Sequence, residues 1–147
     1  MIKGLGHLAI RVKDIEAAAK FYLDVIGLKE AFRMNSPETG KLSAVYVYIA
    51  PSQFIEIFPN GGGEQTDNNN VGIKHICIEV ANAAKFQEVL RGRGAPIDIE
   101  LKTGISKCIQ FWTHDPDGNK IEFMELPPES LQAQANKRLE NTGASVG

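Results

Sequence analysis

The sequence predicts an α+β fold built from two tandem βαβββ modules. Short segments alternate apolar and polar residues as strands do, and longer segments carry apolar residues at helical spacing. The same order of segments occurs twice, and each half has a histidine at its first strand and a glutamate at its last strand. His7 is paired in this way with His75, and Glu56 with Glu122, at a nearly constant offset. A repeated module is therefore the simplest description of the chain.

Composition places the chain among ordinary globular proteins. Its 147 residues are 43% hydrophobic and carry a net charge of −2, enough for one domain or two small modules. No basic cluster favours nucleic-acid binding, and no apolar segment suits a membrane helix or a signal peptide. The two cysteines form no C-x-x-C motif, which favours reduced thiols in a cytoplasmic protein.

The first module is predicted for residues 5–59. Asp14 is a good N-cap for a helix that ends at Gly27. The Arg33 to Leu42 segment is polar and contains Pro37 and Gly40, so it is predicted as a loop. The predicted strands of this module are 6–12, 28–32, 44–49 and 53–58.

A polar, glycine-rich linker is predicted for residues 60–72, and the second module for 73–126. Asn82 is the predicted N-cap of its helix, and Asp115-Pro116-Asp117-Gly118 is a tight-turn signal before the last strand. The predicted strands are 74–80, 97–101, 108–113 and 120–125. Residues 127–147 are a C-terminal extension with a predicted helix from Ser130.

Both glutamates lie at unusual positions for a carboxylate. Glu122 stands in the middle of a hydrophobic strand, and Glu56 shares a strand face with Phe54 and Phe58. Burying a carboxylate is costly unless a positive group meets it. A bound metal ion would meet this need for both residues.

The four residues together predict a metal site. Taken singly, a histidine at a strand start is more often an ordinary polar residue, and a strand glutamate more often faces water. Their symmetric recurrence favours a shared site instead. Two imidazoles and two carboxylates suit one divalent ion of Ni, Co, Zn, Mn or Fe, and the absence of cysteine from the set disfavours a structural zinc site. The proposed ligands are His7, Glu56, His75 and Glu122.

Four sequence motifs resemble those of the vicinal oxygen chelate superfamily. They are H-x-x-I-x-V at His7, the I-E pair at Glu56, a second H-x-x-I-x-V at His75 and D-P-D-G-N-x-I-E-F from Asp115. The order of histidine and glutamate is similar to that of bacterial glyoxalase I. The resemblance implies a single domain over residues 1–126 whose mixed sheet curves around a metal-binding cavity.

The resemblance also implies a reaction. A hemithioacetal of methylglyoxal and a thiol would become a thioester through a metal-bound enediolate, with Glu122 as the base and Glu56 as the symmetric second carboxylate. Arg11 and Asn60 match positions that hold a substrate carboxylate in glyoxalase I, although a surface arginine and a turn asparagine fit the residues equally well. A homodimer is implied, with sites formed within one chain or across two.

Other functions remain open at this point. Another metal-dependent reaction of the superfamily, such as epimerisation, thiol transfer or ring-cleaving dioxygenation, uses a related site. A non-enzymatic drug-sequestering protein is a third possibility, although it would not need four ligand-type residues. Two neighbours of the site have simpler predictions. Cys77 is predicted as a small core thiol, although it shares the strand parity of His75 and could line the cavity, and Trp112 is predicted as a packing residue.

Overall fold

Regular secondary structure begins at His7 in the computed structural model, which describes residues 2–63 and 71–141. The first half contains β1 (His7–Arg11), α1 (Ile15–Lys20), a π-helix (Phe21–Ile26), β2 (Lys29–Asn35), β3 (Leu42–Ala50) and β4 (Gln53–Phe58). The second half contains β5 (Ile76–Glu79), α2 (Ala83–Gly92), β6 (Ile99–Thr103), β7 (Ile109–His114) and β8 (Lys120–Glu125), followed by α3 (Leu131–Asn141).

The strands form two four-stranded mixed sheets of the same topology. The strand orders are β1-β4-β3-β2 and β5-β8-β7-β6. In each sheet the first and last strands of the module pair in parallel, and the other pairs are antiparallel. The predicted α+β class and tandem modules are confirmed.

The residues group into two compact units. One contains the first four strands together with residues 115–119, and the other contains the last four strands and α3. The predicted linker, residues 60–72, lies partly outside the described residues, since 64–70 are not among them. No helix in the described part of the chain combines the length and apolar composition needed to cross a bilayer.

The core of the first unit lies between α1 and one face of its sheet. Alternation along β3 and β4 buries Val45, Val47, Ile55 and Ile57 completely on this face. The Asp14 carboxylate caps α1 by accepting from the Glu16 and Ala17 amides at 2.9 and 3.1 Å, as predicted.

The predicted helix from Asp14 to Gly27 is not a single α-helix. After Lys20 the chain continues as a π-helix, in which the Gly27 amide donates to the Tyr22 carbonyl. Gly27 ends this segment with φ at 88°, a conformation that glycine adopts without strain. The wider turn accompanies complete burial of the Tyr22 side chain.

The predicted turn after β7 packs into the first unit. The buried Asp115 carboxylate accepts from the Asp117 amide, the Asn119 amide and the Asn119 side chain at 2.8–3.0 Å, and from the Tyr22 hydroxyl at 3.1 Å. The Asp117 carboxylate accepts from the Lys13 amide at 3.2 Å. These bonds make residues 115–119 part of this unit.

The second unit repeats the arrangement. Asn82 caps α2 through the Lys85 amide at 2.8 Å, as predicted, and the Glu125 carboxylate accepts from the Ala83 amide at 2.9 Å. The apolar face of the sheet buries Phe111, Ile121 and Phe123.

Two strands, β2 and β3, are longer than predicted, and β3 begins at Leu42 and ends at Ala50. Residues 33–35 belong to β2 although they were predicted as the beginning of a loop. The β2–β3 pairing continues through two irregularities, and the Ser36 amide donates to the Lys41 carbonyl to close the hairpin. Pairing with β3 therefore prevails over the polar composition of this segment.

The C-terminal extension contains the predicted helix. The Leu131 amide donates to the Ser106 carbonyl at 2.9 Å, and the buried Cys108 thiol donates to the Gln132 side-chain oxygen at 3.3 Å. The start of α3 is thus bonded to the loop between β6 and β7.

Candidate metal centre

The first unit contains a close histidine–glutamate pair on the sheet face opposite its core. His7 begins β1, Glu56 lies in β4, and these strands pair in parallel. Their atoms His7 Nε2 and Glu56 Oε2 are 3.2 Å apart. Glu56 is only 7% exposed, so its carboxylate is removed from most of the solvent that would stabilise its charge.

The second unit contains the equivalent pair. His75 directly precedes β5, and Glu122 lies in β8. The distance from His75 Nε2 to Glu122 Oε2 is 3.0 Å, and Glu122 is also 7% exposed.

The match between the halves extends to strand register. Ala9 pairs with Glu56 in the first sheet, and Cys77 pairs with Glu122 in the second. Ala9 and Cys77 each lie two residues after the histidine of their own unit. Each glutamate therefore occupies the same position relative to that histidine. This equivalence follows from parallel pairing of strands whose sequences repeat.

An aromatic residue lies opposite each glutamate on the antiparallel strand. Tyr46 pairs with Glu56, and Trp112 pairs with Glu122. The hydrogen bond of the Tyr46 hydroxyl to Glu56, together with burial and the carboxylate charge, raises the pKa of Tyr46. Each ring also meets the histidine edge-on, at centroid distances of 5.9 Å in the first unit and 4.6 Å in the second.

A residue that sequence reasoning missed connects Trp112 to Glu122. In the orientation that satisfies its neighbours, the Gln110 amide nitrogen donates to Glu122 Oε1 at 2.8 Å. Its oxygen accepts from the Trp112 indole nitrogen at 3.3 Å. Trp112 is therefore a hydrogen-bonding neighbour of the site as well as a packing residue. The only sequence signal was the shared parity of Gln110 and Trp112 on β7.

The prediction of Cys77 as a core thiol is wrong. Its side chain is exposed on the same sheet face as Glu122, because the buried positions of β5 are taken by Ile76 and Ile78. Partial desolvation, followed by the charge of Glu122, raises the pKa of the Cys77 thiol to about 12. In the absence of a metal this thiol is neutral near pH 7.

Arg11 ends β1 and Asn60 follows the end of β4, so both residues lie at the same end of this parallel pair. The Arg11 guanidinium donates to the Pro59 carbonyl at 2.8 Å and lies 5.5 Å from the centroid of the Phe58 ring. Asn60 adopts a left-handed conformation with φ at 62°. Arg11 keeps further donors that this single bond does not use.

The donor types suit a divalent transition metal. Each unit supplies one imidazole nitrogen and one nearly buried carboxylate, and no thiolate is required. Among the described residues, no group of three or more His, Cys, Asp or Glu side chains is close enough together to hold a metal ion. Each pair therefore contains two of the four predicted ligands.

The duplicated sheets and the two histidine–glutamate pairs define the class of protein. The sequence model of the Glyoxalase/Bleomycin resistance protein/Dioxygenase superfamily matches residues 4–123. The chain belongs to this superfamily, and the resemblance inferred from its motifs is confirmed.

The chain is also similar to individual proteins of this superfamily. The chain is 36% identical over 126 residues to lactoylglutathione lyase of Salmonella typhimurium, covering 82% of this chain and 91% of the relative. It is 32% identical over 119 residues to the mitochondrial methylmalonyl-CoA epimerase of Homo sapiens, covering 77% and 67%. The crystal structure of a glyoxalase family protein from Enterococcus faecalis matches its fold with a TM-score of 0.72 at 21% identity, covering 84% and 98%. Similarity to the named lyase supports an enzyme of this superfamily.

Proposed function

We propose that the protein is a metal-dependent lyase of the glyoxalase I type. It would convert the hemithioacetal of methylglyoxal and a thiol into a thioester. The observation that carries this proposal is the duplicated pair: a nearly buried glutamate lies within 3.0–3.2 Å of a histidine at equivalent positions of both units. Similarity to a lactoylglutathione lyase over most of the chain supports the same reaction.

His7, Glu56, His75 and Glu122 are the residues that would hold the metal. The proposal requires both pairs to share one cation, within one chain or across the two chains of a homodimer. When bound, a divalent ion supplies Lewis-acid stabilisation for charge that develops on the substrate oxygens.

Glu122 is the proposed base. Its carboxylate would take the proton from the carbon that carries sulfur and return it to the neighbouring carbon, so that the reaction is an isomerisation without an external oxidant or reductant. Glu56 is the proposed second carboxylate. We further propose that Arg11 and Asn60 hold a carboxylate of the thiol portion of the substrate, since a guanidinium suits that group.

The test compares Glu122→Gln with the wild type after each protein has been loaded separately with Ni²⁺, Co²⁺, Zn²⁺ or Mn²⁺. We expect thioester formation to fall by about 10²–10⁴-fold, the usual contribution of a general base. The control is Glu79→Gln, an exposed residue of β5, which should retain wild-type turnover. Wild-type turnover in Glu122→Gln would remove this residue from its role.

Epimerisation of an acyl thioester is the second candidate, favoured by the 32% identity to methylmalonyl-CoA epimerase. Both reactions begin with removal of a proton beside a carbonyl group. Incubation with methylmalonyl-CoA in deuterated water distinguishes them, because the epimerase would incorporate deuterium into this substrate while forming no thioester from methylglyoxal.

A further inference from the structure

We propose that Gln110 is a positioning residue for Glu122 and that Trp112 holds Gln110 in place; this inference rests on the proposed role of Glu122 as base. The three side chains form a continuous series of hydrogen bonds. The indole N–H donates to the Gln110 oxygen, and the Gln110 amide nitrogen donates to Glu122.

The contacts on Glu122 fix the plane of its carboxylate. Gln110 donates to Oε1 at 2.8 Å, whereas Oε2 lies 3.0 Å from His75, the residue with which Glu122 would share the metal. Because the two oxygens have different neighbours, rotation about the last side-chain bond would lose at least one contact. A base needs this constraint, since its oxygen must meet the reacting proton in one orientation.

Glutamine has flexible side-chain torsions, so a single bond to Glu122 would hold it poorly. The indole of Trp112 supplies the second bond. Gly104 leaves room for this arrangement, because a Cβ at this position would lie only 2.9 Å from the Gln110 side-chain amide. The Gly104 amide also donates to the Cys108 carbonyl at 2.8 Å, which keeps the loop close to Gln110.

The two halves differ at this point, which makes the inference specific to Glu122. In the first unit the Tyr46 hydroxyl bonds Glu56 directly. In the second unit the equivalent aromatic residue is Trp112, and Gln110 stands between its N–H and the carboxylate.

The kinetic test uses Gln110→Met, which keeps side-chain length but has no amide donor. Loss of a hydrogen-bonding neighbour of a metal ligand typically costs 10–100-fold in activity or metal affinity. We expect kcat at saturating metal to fall by about 10–100-fold with KM changed less than about threefold. The matched control is Gln134→Met on the exposed face of α3, which should leave both constants unchanged.

Trp112→Phe gives an independent kinetic test, because it keeps a ring but removes the indole N–H. We expect a smaller fall in kcat, about 3–10-fold, since the bond from Gln110 to Glu122 remains possible. Gln110→Ala serves in place of Gln110→Met should the latter fail to fold, as judged by circular dichroism.

The indole N–H resonance in the NMR spectrum of the metal-free protein tests the bond without measuring turnover. Its assignment is unambiguous, since the chain has one tryptophan. Gln110→Met should move this resonance, and Gln134→Met should not. Glu122→Gln should move it in the wild-type background and move it less when combined with Gln110→Met. A resonance that Gln110→Met leaves unmoved would overturn the proposed bond.

The outcomes separate the two proposals. An active wild type with wild-type kcat in Gln110→Met would overturn the positioning role and leave the proposed function intact. A wild type that is inactive with every metal would overturn the proposed function and with it the catalytic role of this bond, while the resonance would still decide whether the bond exists.

Discussion

Asp115 and Tyr22 form a buried hydrogen bond between residues 93 positions apart in the sequence. Burial, and then the charge of Asp115, raises the pKa of Tyr22 well above its ordinary value of 10.0. The folded protein therefore holds the phenolic proton more tightly than the unfolded chain. The protonated Tyr22 hydroxyl therefore makes its full contribution to the free energy of unfolding below about pH 10. This contribution is lost as the pH rises through the higher pKa of Tyr22 in the folded protein.

Tyr22→Phe should reveal this dependence. At pH 7 we expect a loss of about 1 kcal/mol in the free energy of unfolding, because one hydrogen bond to a carboxylate is removed. Between about pH 9 and pH 11 the wild type should lose stability more steeply than the variant. Thermal unfolding followed across this range measures both effects.

The control is Tyr48→Phe, since Tyr48 is an exposed tyrosine of β3. It should keep the steep alkaline loss of the wild type. If the free energy of unfolding fell equally with pH in the wild type and in Tyr22→Phe, the prediction would be contradicted.

The residues of the candidate site show how far sequence reasoning reaches at this scale. Period-two alternation correctly placed Glu122 on the strand face opposite Ile121 and Phe123. The repeat predicted a histidine and a glutamate at equivalent points of each half, but not the contact between them within a unit. Gln110 was missed because its role depends on the orientation of an amide toward two neighbours. Cys77 was predicted as a core thiol because cysteine is often buried, and the alternative from its shared parity with His75 is the one that the structure supports.

At the scale of elements, helix starts were more predictable than helix interiors. Asp14 and Asn82 cap α1 and α2 through bonds of 2.8–3.1 Å to nearby amides, and a cap depends only on local sequence. The π-helix was not predicted, because its apolar spacing also fits an α-helix and its burial involves the distant Asp115. β2 was predicted too short for a similar reason: its polar end forms a strand because it pairs with β3.

Removal of either cap should destabilise the protein measurably. Asp14→Ala and Asn82→Ala should each lower the free energy of unfolding by about 0.5–2 kcal/mol, because helix amides lose their acceptor. Urea unfolding measures the change.

Glu38→Ala, in an exposed turn, is the control and should change stability by less than about 0.5 kcal/mol. A cap variant with the same midpoint as this control would show that the cap contributes nothing.

At the scale of the whole molecule, residues 115–119 are encoded in the second half but belong to the first unit. A fragment ending at residue 70 lacks Asp115, the carboxylate bonded to Tyr22, and Asp117, which accepts from the Lys13 amide. We expect this fragment not to unfold cooperatively. Circular dichroism during thermal unfolding tests the expectation.

A full-length protein cut by a protease at a site introduced between residues 64 and 70 is the matched comparison. It loses chain continuity but keeps residues 115–119, so it should retain the transition of the first unit. A cooperative transition in the isolated fragment would contradict the prediction.

The placement of this five-residue turn also bears on how a duplicated gene diverges. Because Asp115 is the acceptor for the buried Tyr22 hydroxyl, the first copy cannot be excised or moved to another chain alone without losing this bond. In this respect the first copy of the repeat depends on the second.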